Sequence, residues 1–328
     1  MTTSGPVLVT GAAGFIGSHL TEALVEQGMN VRVFAHYNSR GDLAALKDLP
    51  SEVMQSVELV WGDLKDADAV RRAAKGAESI FHLGALIGIP YSYRNPRDVV
   101  ETNVIGTLNA LEAARDTEAS RLVVVSSSEV YGTAVEVPMS ESHPLQGQSP
   151  YSASKIGAEK LAESFYLSYG LPVTVVRPFN TYGPRQSDRA VIPTIISQAL
   201  AGGEIRLGSV IPRRDFSFVT DTAEGLIAAS RSDSAVGETI NLGTGIDVSV
   251  SDVVLKVSEL LGRELVVSAE DDRVRPPGSE VGRLQADFSK ARQLCGWEPK
   301  VSLDEGLRRT IAWIRSNMNR FNPGVYGV

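Results

Sequence analysis

Three glycines at a fixed spacing, Gly11, Gly14 and Gly17, lie between the apolar triplet Val7-Leu8-Val9 and a helical pattern over residues 15–27. Glycines at a strand-to-helix turn let the backbone bend tightly and approach a pyrophosphate, whose charge the helix N-terminus stabilises. The spacing is G-x-x-G-x-x-G rather than G-x-G-x-x-G, and a glycine trio alone fits any strand–turn–helix. Its place after the first strand and before a helix is what points to dinucleotide binding, with Gly11, Gly14, Phe15, Ile16 and Gly17 as contacts.

The first half of the chain repeats this alternation. Residues 31–34, 57–61, 79–83, 122–126 and 173–177 read as strands, and 66–75, 103–114 and 152–169 show helical spacing. Leu122-Val123-Val124-Val125 has no polar alternation, as expected of a strand buried on both faces. The pattern predicts an α/β fold, a Rossmann-type doubly wound parallel sheet, with a smaller C-terminal substrate domain. After Pro178 prolines break the chain into shorter pieces, although 239–242 still reads as a buried strand. The expected division is 1–178 for the dinucleotide and 179–328 for the substrate, with about 214–243 returning to the first. Helices are expected at 250–261 and 303–315, and Ser302 with Glu305 has capping-box spacing.

Composition narrows the classes. Of 328 residues, 43% are hydrophobic and 22% charged, enough for a sizeable core. A net charge of −7 offers no broad field for nucleic acid. Cys295 is the only cysteine, so no intramolecular disulfide is possible, and a buried inert thiol is expected. No run approaches the roughly 20 apolar residues of a membrane span. A cytoplasmic protein is expected, with no metal.

An NAD-binding unit usually carries Asp or Glu at the end of its second strand, for the ribose hydroxyls. Here Ala35 stands in that place, with His36 and Arg40 following. The two basic residues could meet a 2′-phosphate or could be solvated loop residues. NADP is slightly favoured over NAD, and Asp63 with Leu64 is expected near the adenine.

Tyr151 and Lys155 are spaced i, i+4 and share a helix face. An ammonium beside a phenol favours phenolate, so the tyrosine could act as a base near neutral pH. Such a pair is common on solvated faces. It gains weight from Ser126-Ser127-Ser128-Glu129 at the end of the fifth strand, where a parallel sheet places its ligand crevice.

Together with His82-Leu83-Gly84-Ala85, Asn103, Arg177-Pro178-Phe179-Asn180-Thr181-Tyr182-Gly183-Pro184-Arg185, Arg214-Asp215-Phe216, Asn241-Leu242-Gly243, Arg275-Pro276 and Gly296-Trp297-Glu298-Pro299, these residues resemble the extended short-chain dehydrogenase/reductases. That family holds nucleotide-sugar epimerases, dehydratases and decarboxylases. The resemblance implies Tyr151 as base, Lys155 on the nicotinamide ribose and Ser127 on the sugar C4 oxygen. It implies Leu83, Gly84 and Ala85 beside the cofactor. Asn180, Arg214 and Arg275 are implied as diphosphate contacts, with Asn103 and Arg185 also on the substrate. A cofactor that is regenerated in each turnover and stays tightly bound is implied, as is a homodimer paired through 103–114 and 152–169, although core packing explains the same apolar spacing.

Three segments are similar to bacterial 4,6-dehydratases of nucleotide-linked N-acetylglucosamine in the legionaminic-acid pathway: Tyr37-Asn38-Ser39, Ile89-Pro90-Tyr91-Ser92-Tyr93 and Pro144-Leu145-Gln146-Gly147-Gln148-Ser149-Pro150. In dehydratases a glutamate at the place of Glu129 takes the C5 proton. Ser128 stands where glucose-type dehydratases carry an acid. The expected activity is therefore 4,6-dehydration of a nucleotide-diphosphate sugar. C4-epimerisation and UDP-glucuronate decarboxylation remain as alternatives, the latter needing a cation such as Arg94 or Arg185. A dinucleotide-sensing scaffold on the same fold would have no need of the base.

Overall fold

The structure is a computed structural model and describes residues 5–270 and 276–323. Its strands are β1 (Val7–Thr10), β2 (Val31–His36), β3 (Val57–Gly62), β4 (Ser79–His82), β5 (Arg121–Val125), β6 (Val173–Pro178), β7 (Asn180–Tyr182), β8 (Ile205–Leu207), β9 (Arg213–Phe218), β10 (Thr239–Leu242), β11 (Asp247–Ser249) and β12 (Val267–Ala269). The helices are α1 (Phe15–Glu26), α2 (Ser51–Gln55), α3 (Ala67–Ala74), α4 (Ile89–Arg94), α5 (Pro96–Val100), α6 (Gly106–Asp116), α7 (Pro150–Tyr169), α8 (Val191–Ala201), α9 (Val219–Arg231), α10 (Val250–Leu261), α11 (Ser289–Cys295) and α12 (Leu303–Ser316).

Seven strands form one parallel sheet in the order β10-β6-β5-β4-β1-β2-β3. The apolar run of β5 shows why it is buried twice over. Val123 and Val125 point into one core with Leu20, Leu24 and Leu226, while Leu122 and Val124 point into the other with Ile80, Leu111 and Phe165. The order reverses between β1 and β4. That switch point opens a crevice outside the carboxyl ends of the strands, which is where such sheets bind ligands.

The chain leaves this sheet after β6 and builds a second layer from β7, β9 and β11, with its own core of Tyr182, Ile192, Phe216, Phe218, Val253 and Leu307. It then returns. Helix α9 covers α1, and β10 pairs in parallel with β6. The strands β7 and β11 were hidden in the proline-broken texture, because three residues carry no readable period.

Helix ends follow local chemistry. The expected start at Ser152 lies two residues late, since Pro150 takes the first helical position of α7. Ser149 and Ser152 form a reciprocal capping box ahead of it, worth about 1 kcal/mol. At α12 only half of the expected box forms. Ser302 accepts the Glu305 amide at 3.3 Å, while the Glu305 carboxylate turns to Arg309 at 2.7 Å. The expected helix over 103–114 is preceded by a π-turn, Glu101–Ile105, that contains Asn103. Among the described residues no helix is long and apolar enough to cross a membrane.

Candidate active site

The glycine turn forms the first wall of the crevice. Gly11 is left-handed, at φ +70°, and a Cβ there would lie 2.7 Å from the Gly84 amide nitrogen. A Cβ on Gly17 would lie 2.2 Å from the Gly11 carbonyl oxygen. Only glycine lets β1, α1 and the loop after β4 come this close. Gly14 caps α1 with no side chain, so the first-turn amides face the crevice unshielded by a cap. These features fit the pyrophosphate of a dinucleotide. The Phe15 side chain packs against the core of the second layer, and that of Ile16 against both cores.

The far end of the crevice is an open cleft of about 500 Å³ lined by Ala13, His36, Asn38, Ser39, Arg40 and Asp42. His36 Nε2 lies 3.9 Å from Asp63, whose other oxygen accepts the Lys65 amide. Leu64 packs over Gly84, where an added Cβ would meet its Cδ1 at 2.6 Å.

Between these ends a directed chain of hydrogen bonds fixes the loop after β4. The Gly84 amide donates to Thr10 Oγ1 at 3.1 Å, and Thr10 lies 2.9 Å from His82 Nδ1. His82 Nε2 lies 3.1 Å from Thr107 Oγ1, which donates to the Asn103 carbonyl at 2.6 Å. Thr107 therefore accepts from His82 Nε2–H, and Nδ1 accepts from Thr10. Burial, with the Lys155 charge behind it, drives His82 down to about 3 and keeps it neutral. The Asn103 side chain is also engaged, with Leu86 at 2.7 and 2.9 Å and Ser154 at 2.9 Å. It braces this loop against α7.

The neutral state of the buried histidines predicts a pH dependence. His19, against the Pro184 carbonyl, is held down to about 4 by burial and then by Arg185. Below the ordinary value of 6.5 the unfolded chain takes up protons that the fold refuses. Stability is thus fully present above pH 6.5 and falls as pH drops toward 4, by up to about 1.4 kcal/mol per pH unit for each group. Asp215 and Asp221, raised by burial, work in the opposite direction in the carboxylate range. Urea midpoints at pH 7.5, 6 and 5 should fall in that order, and His19→Gln should flatten part of the slope. An unchanged midpoint would mean that the fold accepts these protons.

Ser127, Glu129, Tyr151 and Lys155 meet at the carboxyl end of β5. Ser127 caps a single 3₁₀ turn, Ser128–Tyr131, and its Oγ accepts the Glu129 amide at 3.2 Å. Ser128 is buried inside that turn. Tyr151 is 6% exposed, and burial pushes its phenol up to about 12; a hydrogen bond with Ser127 works against this and the Glu129 charge adds to it. Lys155 is pulled down to about 8 by burial, and its Nζ donates to the Val125 carbonyl at 2.8 Å. The expected lowering of the phenol by the ammonium is therefore absent. Burial is the largest influence on the phenol, and Lys155 is directed at the strand end.

The diphosphate candidates divide. Asn180 pairs with Phe216 in parallel register, which places it on the same face of the second layer as Arg214. The Asn180 Oδ1 is buried without a partner among the described residues. Arg214 is nearly buried, with Nη2 3.5 Å from Glu280. Arg275 lies outside the described residues. Arg185 is tied to Glu22 on α1 at 2.6 Å and fastens the two layers together. In Arg214-Asp215-Phe216, the middle residue is structural. Buried Asp215 accepts from the Thr244, Gly245 and Ala286 amides and from Thr244 Oγ1.

Residues 8–310 match the family described as GDP-mannose 4,6 dehydratase. The chain belongs to that family. It is 33% identical to a UDP-glucose 4-epimerase of Mycolicibacterium smegmatis, over 94% of this chain and 98% of the relative. It is 31% identical to a UDP-N-acetyl-alpha-D-glucosaminuronate decarboxylase of Bacillus cytotoxicus, over 95% and 98%. A dTDP-glucose 4,6-dehydratase double mutant from Streptomyces venezuelae, solved with NAD bound, superposes with a TM-score of 0.87 at 30% identity, over 95% of this chain and 98% of that one. The chain is thus an enzyme of the extended short-chain dehydrogenase/reductase family, in a group of nucleotide-sugar dehydratases, epimerases and decarboxylases. Among the described residues no group of His, Cys, Asp or Glu could hold a metal ion.

Proposed function

We propose that this enzyme is a nucleotide-diphosphate-sugar 4,6-dehydratase, acting on nucleotide-linked N-acetylglucosamine or a related hexose. The observation that carries the reading is the placing of Glu129. Its carboxylate rides on the turn capped by Ser127 and is felt electrostatically at Tyr151, so a second base stands beside the C4 pair. Two bases are what elimination across C5 and C6 needs after C4 oxidation; epimerisation needs only the first.

Ser127 and Tyr151 hold the C4 oxygen, and Tyr151 takes its proton. A ketone at C4 acidifies the C5 hydrogen, and Glu129 takes that proton as water leaves C6. Ser128 brings no carboxyl, so Glu129, once protonated, is the acid that remains to serve the departing hydroxyl. When bound, a nicotinamide cofactor supplies the hydride acceptor at C4 and the hydride donor at C6. Lys155 fixes the ribose end of that site, the glycine turn holds the pyrophosphate, and Asn180 and Arg214 hold the sugar's diphosphate. The decarboxylase reading would need a cation for the C6 carboxylate; Arg185 gives its Nη2 to Glu22, and Arg94 is exposed at the end of α4.

The test is a panel of nucleotide sugars incubated with the purified enzyme. Loss of one water by mass is expected. Loss of carbon dioxide, or altered stereochemistry at constant mass, would replace the reading with decarboxylase or epimerase.

Within this reading the cofactor is NADP(H) in preference to NAD(H), since Ala35 presents no carboxylate and His36 and Arg40 both line the cleft. NAD in the related solved structure points the other way. Dissociation constants for the two cofactors decide it, and tighter NAD binding overturns the preference. The enzyme acts as a cytoplasmic homodimer, paired through α6 and α7, where Leu167 and Tyr169 are exposed. A monomeric mass in light scattering at micromolar concentration would overturn the pairing.

A further inference from the structure

Tyr151 and Lys155 are two members of a longer stripe on α7, and the third, at the same four-residue step, is Glu159. It is 4% exposed, and it is met by an equally buried Arg177 from the end of β6. Arg177 Nε donates to Glu159 Oε1 at 2.8 Å and Nη2 to Oε2 at 2.7 Å, a two-pronged pair. The guanidinium also stacks on the ring of Tyr131, 4.8 Å from its centre, and Nη1 donates to the Tyr131 hydroxyl at 2.8 Å. Tyr131, fully buried, is the last residue of the turn that carries Glu129, and its own hydroxyl donates a hydrogen bond to Asn241 Oδ1 of β10 at 2.6 Å.

One guanidinium thus bonds at once to the helix of Tyr151 and Lys155 and to the turn of Glu129. The fork is planar and its donors are fixed relative to one another, so it sets a distance and an angle between the two pieces of backbone. A methylene-rich filler would occupy the space but set neither. From this geometry we propose that Arg177 is a positioning residue, holding the Glu129 turn in register with the Tyr151–Lys155 helix through Tyr131 and Glu159. The inference rests on the dehydratase reading, because it assigns Arg177 to the step that Glu129 performs. The C4 step depends on Ser127, carried by the end of β5, and on Tyr151, in the first turn of α7, and among the described residues the Tyr131 hydroxyl bonds to neither of them but to Arg177 and Asn241.

The gentlest test is Tyr131→Phe, which keeps the ring and the stack and removes the hydroxyl joining Arg177 to the turn. Arg177→Lys, which keeps the charge and loses the fork, is run beside it. Each is mixed in single turnover with the nucleotide sugar that the wild type dehydrates, and C4 oxidation and water loss are timed separately. A base displaced by about an ångström loses on the order of 10²-fold in its own step. Both variants should therefore oxidise C4 within a few-fold of the wild-type rate and lose water about 10²-fold more slowly. Adding Tyr131→Phe to Glu129→Gln should slow water loss no further, because the two act through one group. Equal slowing of both steps, or effects that multiply in the double variant, would overturn the proposal. So would a folded Tyr131→Phe enzyme that loses water normally. If Glu129→Gln alone loses water at the wild-type rate, the dehydratase reading of Glu129 falls; if Glu129→Gln is slow and Tyr131→Phe is normal, only the role of Arg177 does.

Discussion

Glu129→Gln is expected to leave C4 oxidation intact and to stop the reaction there. The amide keeps the shape of the carboxylate but cannot accept the C5 proton. The backbone bond from its amide to Ser127, which holds the turn, does not involve the changed atoms. Loss of a positioned base costs about 10²–10⁴-fold, so water loss should fall by that factor while reduced nicotinamide accumulates and is seen by its absorbance. In heavy water the wild type should place solvent deuterium at C5 of the product and none at C6. An epimerase would show neither water loss nor C5 exchange. Water loss at the wild-type rate in Glu129→Gln would give the role to another residue.

Tyr151→Phe is expected to stop everything, by a similar factor of about 10²–10⁴, but one step earlier. Dehydration, decarboxylation and epimerisation all begin with oxidation at C4, so this variant should build up no reduced nicotinamide on mixing. Its energetic setting explains why the effect should be large. The phenol is buried and raised to about 12, so it gives up its proton only when the complete site favours the charge. The enclosure that raises it also excludes water that could replace it as a base. Reduction of cofactor at near the wild-type rate would remove Tyr151 from the role. The pair of variants separates the steps: one should stall before any redox change and the other after it.

Much of the fold was readable because buried parallel strands need apolar runs, and β1, β4, β5, β6 and β10 are almost uninterrupted, although β3 is only partly buried. The glycine turn was equally plain, since no other residue tolerates its close approach. The reading was weaker where side chains satisfy one another across the fold. Asn103, implied as a substrate contact, sits in a π-turn ahead of the expected helix and bonds to Leu86 and Ser154, partners that no local pattern names. Arg185 stands in a loop beside the phosphate candidates, yet it turns to Glu22, a partner 163 residues away. The Arg177–Glu159 pair left one unexploited signal, an acidic residue continuing the four-residue step from Tyr151 and Lys155. Nothing local could name its partner. The phenol's upward shift was also out of reach, since burial is a property of the assembled crevice and not of the helix that carries the residue.

The return of β10 and α9 has a consequence for how relatives of this enzyme can be recombined. A cut after Pro178 looks like a natural seam between cofactor and sugar halves. A piece ending there would leave β6 as a bare sheet edge, without its β10 partner, and would strip α9 from Leu20 and Leu24 on α1. A swap of the tail after Pro178 would therefore break both contacts. The part that packs away from the sheet comes in separate stretches, β7 through β9, then β11 with α10, and finally α12, while α9, β10 and α11 pack with the first core. A chimaera that moves only one of these stretches should leave the second core incomplete.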